Sequence, residues 1–273
     1  MHRAARSRNG IAIRAGVARA VSRALPEETA IAMVYNGSAL AVMMASPSDL
    51  RDFAVGFSLS ERIVERPDEI EALETAPQAN GVELRMWLSA DRAEALRRRR
   101  RFMAGPVGCG LCGIDSLDEA LRPLPRVRAA GPQLTAADVD AAVTALGQWQ
   151  PLHDRTHAVH AAAFYRPGEG IVAAREDVGR HNALDKLVGA LALRGIDAGS
   201  GAIVLTSRVS VEMVQKSVLA GAPVLIAVSA PTAHAARLAE DAGLTLVALA
   251  RGGCFEVFAH PHRVGDGGGY DAA

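Results

Sequence analysis

The stretch 171–249, IVAAREDVGRHNALDKLVGALALRGIDAGSGAIVLTSRVSVEMVQKSVLAGAPVLIAVSAPTAHAARLAEDAGLTLVAL, decides the fold. Four short apolar runs punctuate it: Ile171–Ala174, Ala202–Thr206, Val224–Val228 and Leu244–Leu249. Between them lie segments of helical length. Leu184, Leu187, Val188 and Leu191 recur at i, i+3, i+4 and i+7, so a helix runs from Ala183 to a left-handed cap at Gly195. Val211–Ala220 is the next helix, closed by Gly221 and Pro223. Ala233–Ala242 is the third, opened by Thr232 as N-cap and ended by Gly243. Phe255–Ala259 supplies a last strand. Continuous apolar strands alternating with such helices predict a β-α-β-α-β sheet of parallel strands covered by helices on both faces.

In a sheet of this kind ligands bind outside the carboxyl ends of the strands, where loops and helix N-termini converge. Those loops are polar here. Arg175, Glu176, Asp177, Arg180 and His181 follow the first strand, Ser207, Arg208 and Ser210 the second, Ser229 and Thr232 the third, and Arg251 the fourth. Backbone amides at helix starts, together with arginine forks, suit a phosphate or pyrophosphate. Taken singly, each of these residues is an ordinary cap or loop polar group; four such loops on one rim favour a ligand site.

The N-terminal half is mixed. Asn36-Gly37 between Ala30–Val34 and Ala39–Met44 predicts a two-residue hairpin. A helix with Ser48 as N-cap runs to about Val64, Val82–Leu88 alternates as a strand, and Asp91 to about Met103 is helical, ending in five arginines (97–101). The Pro-rich stretch from Arg122 to Pro132 marks a boundary, and a helix over Thr135–Leu146 opens the second domain. The expected division is an α+β domain over 20–130 and an α/β domain over 131–265.

Composition sets outer limits. Among 273 residues, 30 Lys+Arg balance 30 Asp+Glu, so the chain lacks the basic excess that non-specific nucleic-acid binding requires. No apolar stretch reaches the ~18 residues of a membrane span. The basic N-terminus, MHRAARSRNGIAIRAG, has no apolar run or cleavage site of a secretory signal, which predicts a cytoplasmic protein. Three cysteines, Cys109, Cys112 and Cys254, are too few for a disulfide framework.

Cys109 and Cys112 stand in GPVGCGLCG (105–113), a loop framed by glycines with no helical or strand period. Packing does not ask for this pattern, and three chemistries compete for it. Zinc needs a second ligand pair, for which only Cys254 and the His153, His157, His160 cluster are available, and that cluster reads more simply as a polar helix face. A catalytic deaminase site needs a His-x-Glu upstream, and the only earlier histidine is His2. Dithiol exchange places its motif at a helix start after a strand, whereas this one follows a helix and an arginine run. A nucleophilic or persulfide-carrying thiolate is the third reading. The arginines at 97–101 would lower its pKa, while also serving simply as a solvated helix end that suits the macrodipole.

The segments ETAIAMVYNGSALAVMMASPSDLRDFAVGFSLSERIV (28–64), GCGLCGIDSL (108–117), REDVGRHNALDKLVG (175–189), TSRVSVEMVQKSVLAG (206–221) and 249–261 resemble the formate dehydrogenase accessory sulfurtransferases, the FdhD/NarQ family. The resemblance runs from about Leu25 to Arg263. It implies a cytidine-deaminase-like three-layer α/β core without zinc, beside a smaller α+β N-terminal domain. It implies a sulfur carrier whose persulfide cysteine is Cys109, with Cys112 as partner and no metal site. A cysteine desulfurase would load the sulfur, which passes to the molybdenum cofactor before formate dehydrogenase receives it. That cofactor is transient bis-molybdopterin guanine dinucleotide, with a guanine nucleotide as its mimic and no cofactor tightly held. Leu249, Ala250, Arg251, Gly252, Gly253 and Cys254 match the family's cofactor-contacting segment. Arg175, Asp177, Arg180, His181, Ser207 and Arg208 join them on the rim. Two positions depart from the family pattern: Arg62 ends FSLSER where Phe-Leu-x-x-Glu-Gly is usual, and Cys254 stands where a basic residue is common. The same resemblance admits a non-catalytic chaperone that binds the cofactor and the dehydrogenase, and leaves a homodimer open. Neither nucleic acid nor membrane is an expected partner.

Overall fold

The computed structural model describes residues 3–103, 123–128 and 131–265. Three sheets carry these residues. β1 (Ala5–Arg14) and β2 (Val17–Pro26) form an antiparallel two-stranded ribbon. β3 (Thr29–Tyr35), β4 (Ser38–Ala45), β5 (Ile70–Gln78) and β6 (Gly81–Leu88) form a second sheet in the order β4-β3-β6-β5. β7 (His160–Arg166), β8 (Gly170–Asp177), β9 (Ala202–Leu205), β10 (Val224–Ala227), β11 (Thr245–Arg251) and β12 (Cys254–Ala259) form the third, in the order β12-β11-β10-β9-β7-β8.

The hairpin predicted at Asn36-Gly37 joins β3 to β4, with φ of 47° and 79° at its two central residues. Both angles are positive, which is the turn whose twist matches antiparallel strands. Ile31, Met33 and Tyr35 on β3 face Leu84 and Met86 on β6 in a core closed by Phe53 and Phe57 of α1 (Leu50–Ser60). α2 (Ala90–Met103) adds Leu96 to the same core. The N-cap of α1 is Asp49 rather than the predicted Ser48, and the helix ends at Ser60 rather than near Val64. Asp49 is left-handed (φ 52°) and its carboxylate lies 3.6 Å from Arg175 instead of capping.

The six-stranded sheet corrects the expectation of a parallel β-α-β-α-β array. Only β9, β10 and β11 are parallel neighbours. β7 is inserted antiparallel between β8 and β9, and β12 is an antiparallel edge. Its composition, HAAAFYR, hid β7: a strand buried on both faces does not alternate, and alanine carries no strand signal. Because β8 and β9 each oppose β7, they run in the same direction, so the carboxyl ends of β8 through β11 still meet at one edge.

Helices cover both faces of this sheet. α5 (Arg180–Leu193), α6 (Val211–Leu219) and α7 (Ala233–Ala242) pack on one face through Leu184, Leu187, Met213, Val214, Ala235 and Ala239. α3 (Ala136–Leu146) packs on the other through Val139, Ala142 and Leu146. A short helix, α4 (Pro151–Thr156), leads into β7. Thr232 caps α7, its hydroxyl accepting from the Ala235 amide, and Gly243 ends it at φ 76°. α5 begins at Arg180, one turn before the predicted start.

α5 is buried from Asn182 to Leu191 because α1 crosses its outer face. The crossing is backbone against backbone: a Cβ at Gly56 would lie 1.7 Å from the Asp185 carbonyl oxygen, and one at Gly189 would lie 1.9 Å from that of Asp52. Only glycine fits there. Two buried ion pairs flank the crossing. Lys186 Nζ sits 2.6 Å from Asp177 Oδ2 and 2.8 Å from the Ser46 carbonyl, over the Phe53 ring. Lys216 Nζ lies 2.7 Å from both Asp185 oxygens and 3.5 Å from Glu61, over the Phe57 ring. Burial alone would lower the Lys216 pKa, but Asp185 and Glu61 outweigh it and hold the amine above its ordinary value. Among the described residues no helix is long and apolar enough to cross a membrane.

Candidate functional site

The rim at the carboxyl ends of β8–β11 is tied into one band by backbone hydrogen bonds. Thr206, just past β9, donates its amide to the Ala161 carbonyl, while its hydroxyl accepts from the Ala161 amide at 2.9 Å. Val209 donates to the Ala230 carbonyl, Thr232 donates back to Val209, and Leu249 donates to Ser229. The loops after three strands are thus held to one another and to the start of β7. Gly252 and Gly253 turn the chain from β11 into β12 with φ of 58° and 75°, and the Gly253 amide donates to Asp140 of α3 at 3.0 Å. This places 249–254 at the edge of the rim, with Leu249 left-handed (φ 54°), Ala250 buried, and Arg251 paired across from an exposed Cys254.

Arg180 and His181 open α5 at this rim. Gly179 is the N-cap, extended and without a side chain, so no side-chain cap occupies the first amides of the helix. Arg180 Nε is buried without a hydrogen-bond partner. His181 Nε2 is likewise buried, with Glu212 Oε2 of α6 as its ion-pair neighbour at 3.9 Å. Burial, then Arg180 and Lys216, push the His181 pKa below its ordinary value; burial, then Arg180, do the same to His160 at the start of β7. The result is an imidazole shifted toward its neutral form beside an arginine whose Nε has no partner, at a helix start. Glu212 supplies a carboxylate beside this pair, yet Arg180 Nε keeps no partner; that donor and the helix N-terminus would both be satisfied by a phosphate oxygen.

The other rim residues divide. Arg208 and Arg251 are exposed and available, and Ser207 is buried with its hydroxyl donating to the Arg208 carbonyl at 3.1 Å. Arg175 and Asp177 are engaged instead by α1, by the segment that follows β4 and by α5 itself. Both Nε and Nη2 of Arg175 lie 2.7 Å from Asp52 Oδ2 on α1. Asp177 Oδ2 accepts from the Ser46 amide and pairs with Lys186, while Oδ1 accepts from Gly179 and Asn182. These two residues hold the seam and orient the α5 start from behind. Glu176 caps α4 through the Leu152 and His153 amides at 2.8 and 2.7 Å. Sequence reasoning missed Glu212, because an acid in a helical first turn reads as an ordinary match to the dipole.

Cys109 and Cys112 lie outside the described residues. Among those described, no group of three or more His, Cys, Asp or Glu is arranged to hold a metal. His153 and His157 meet edge to face at 5.5 Å at the end of α4, while His160 begins β7. A cavity of about 750 Å³ opens at the other end of α5, lined by Leu59, Ser60, Leu191, Ile196, Leu219 and Pro123, the last being the first described residue after the thiol segment. A 14-residue helix, about 21 Å long, separates it from the rim.

Comparison with known proteins gives three findings. The profile of the FdhD/NarQ family matches residues 26–265. A protein of Agrobacterium fabrum named sulfur carrier protein FdhD is 53% identical over 253 residues, covering 93% of each chain. A Brucella abortus protein of the same name is 54% identical over 243 residues, covering 89% of this chain and 90% of its own. The crystal structure of a putative formate dehydrogenase accessory protein from Desulfotalea psychrophila superposes with a TM-score of 0.77 at 26% identity, covering 96% of this chain and all of the other.

Proposed function

The chain belongs to the FdhD/NarQ family of sulfur carrier proteins linked to formate dehydrogenase, and from that membership we propose that it is a cytoplasmic sulfurtransferase serving the bis-guanine-dinucleotide molybdenum cofactor. Cys109 is the sulfur-carrying residue. Its thiolate attacks the outer sulfur of a desulfurase cysteine persulfide; the S–S bond of the donor breaks, the donor thiolate leaves, and Cys109 becomes the persulfide. Cys112, as thiolate, then attacks the inner sulfur. A Cys109–Cys112 disulfide forms, hydrosulfide is released toward the cofactor, and a thiol reductant restores the pair.

The cofactor is cargo, presented at the rim. Arg180, His181, Ser207 and Arg208, with 249–254, hold its guanine nucleotide and pyrophosphate ends; Arg175 and Asp177 fix the start of α5 from behind. The observation that carries this reading is the orphaned Arg180 Nε at an uncapped helix start, inside a band of loops bonded to one another. The mixed six-stranded sheet between α3 and α5–α7 supports our reading of the core as cytidine-deaminase-like.

Mass spectrometry after incubation with a cysteine desulfurase and cysteine tests the thiol assignment: the parent gains one sulfur and Cys109→Ala does not. Equal gain by both overturns it. Calorimetry with GDP tests the rim, with Arg180→Met expected to weaken binding at least tenfold. A Cys109→Ala, Cys112→Ala protein that still yields active formate dehydrogenase would make the protein a chaperone rather than a carrier.

A further inference from the structure

The β1–β2 ribbon is the part of the molecule that the sulfurtransferase reading does not use. It is paired from Ala5↔Pro26 to Arg14↔Val17 and turns at Ala15-Gly16, with positive φ at both. Only its root is buried. Ala5 packs with Leu152 and Val159, against Ala4 and Val178. Beyond that root its strands are exposed or half-exposed on both sides. A lone two-stranded ribbon has little stability of its own, so retaining one of this length calls for a surface that receives it.

The cross-strand register sorts its residues. One face carries Ser7, Asn9, Ile11 and Ile13 with Ala18, Ala20, Ser22 and Ala24, and holds no charge. The other carries all five arginines of the ribbon: Arg6, Arg8 and Arg14 on β1, Arg19 and Arg23 on β2. No carboxylate lies anywhere between Ala5 and Pro26. Arg6 pairs with Glu27 at the root. Arg8, Arg14, Arg19 and Arg23 form no ion pair among the described residues, in a chain whose charges sum to zero only with these arginines counted. Val17 and Leu25, 57% and 46% exposed, stand among them.

Its root lies at the rim. Val159 immediately precedes His160 and Val178 immediately follows Asp177, so the ribbon leaves the body beside the site proposed for the cofactor. We infer that the arginine face of this ribbon is a docking arm for an acidic surface on the protein that receives the cofactor. The identity of that partner rests on the sulfurtransferase reading. Six rungs separate Arg8 from Arg14, a line of about 20 Å, which is far longer than a pyrophosphate and matches a row of carboxylates. Aliphatic side chains interleaved with the arginines, and no aromatic residue on either strand to stack on a base, fit a protein better than a nucleic acid. Ile11 and Ile13 lie on the face opposite the arginines, so a lipid surface could not engage both.

The test combines Arg8→Glu, Arg14→Glu, Arg19→Glu and Arg23→Glu in the full chain and measures binding to purified apo formate dehydrogenase. The reversed variant should bind at least tenfold more weakly, with a shallower dependence on NaCl, while the four Arg→Lys changes keep affinity within about threefold. Its thermal transition should match the parent, because the ribbon tip contributes nothing to either core. GDP affinity and desulfurase-dependent sulfur gain, measured on the same preparation, should stay within twofold. Undiminished binding by the reversed variant overturns the inference, as does a parent whose ribbon binds duplex DNA or anionic phosphatidylglycerol vesicles in place of the dehydrogenase. A parent that neither gains sulfur nor binds GDP overturns the sulfurtransferase reading instead, and leaves ribbon-dependent docking to stand or fall on the binding measurement.

Discussion

Lys186 Nζ lies 2.6 Å from Asp177 Oδ2 with both side chains sealed from water, and this one pair joins the last residue of β8 to the middle of α5 and, through Ser46, to the end of β4. Replacing Lys186 with Met leaves Asp177 charged, buried and short of its cation. Breaking a buried pair from one side costs about 3–5 kcal/mol. Urea denaturation of Lys186→Met should show a loss of that order, and a loss below about 1 kcal/mol would mean that the Ser46, Gly179 and Asn182 donors suffice for Asp177.

The Gly56–Gly189 crossing predicts a sharper result. A methyl group on Gly56 meets the Asp185 carbonyl, which is backbone and cannot rotate away. Either Gly→Ala change should destabilise by about 3 kcal/mol or more, beyond the usual cost of overpacking. Gly147, whose added Cβ would meet nothing within 4 Å, is the control and should change little.

Arg62 adopts φ 53°, in the left-handed region, at the position where the family pattern has glycine. Its side chain donates to the Pro123 carbonyl at 3.2 Å. Both Arg62→Ala and Arg62→Gly lose that bond, but only alanine keeps the Cβ clash. The glycine variant should be the more stable of the two by about 1 kcal/mol, read from paired denaturation curves.

His160 and His181 are held below the ordinary imidazole pKa of 6.5 by burial and by Arg180. The unfolded chain therefore binds protons near pH 6.5 that the folded protein refuses until a lower pH. Their contribution to stability is complete above 6.5 and is lost as pH falls below it. Denaturation between pH 5 and 7.5 should show stability rising with pH, and the His160→Gln, His181→Gln double variant should show a smaller rise. An unchanged slope would mean that these two imidazoles do not titrate differently on folding.

The C-terminal helices were legible because each combined a 3.6-residue apolar period with a glycine stop: Gly195, Gly221 and Gly243 all have positive φ where a cap was expected. β7 was not, since its alanines carry no strand preference and its burial on both faces removes alternation. β5 was missed for the opposite reason: it is an exposed edge strand whose Glu71, Glu74 and Pro77 read as loop. The ribbon residues alternate, but arginine and alanine on opposite faces do not resemble a strand with one face in a core. At the site, the loops after β9 and β10 fall where the strand–helix alternation put them, whereas Arg175, Glu176 and Asp177, expected in a loop, lie inside β8, and 249–251 lie inside β11. That Arg175 and Asp177 face the seam while Arg180 keeps an open donor depended on where α1 and β4 pack, and no local pattern in 175–182 records that.

α5 has no side left to water between Asn182 and Leu191: one flank belongs to the six-stranded sheet and the other to α1. A substitution on it must therefore suit two neighbours encoded far apart in the gene, α1 at 50–60 and the β7–β8 pair at 160–177. Chimaeras that splice the N-terminal part of one relative onto the C-terminal part of another would inherit mismatched halves of that contact, so the two parts of this protein are heritable only together.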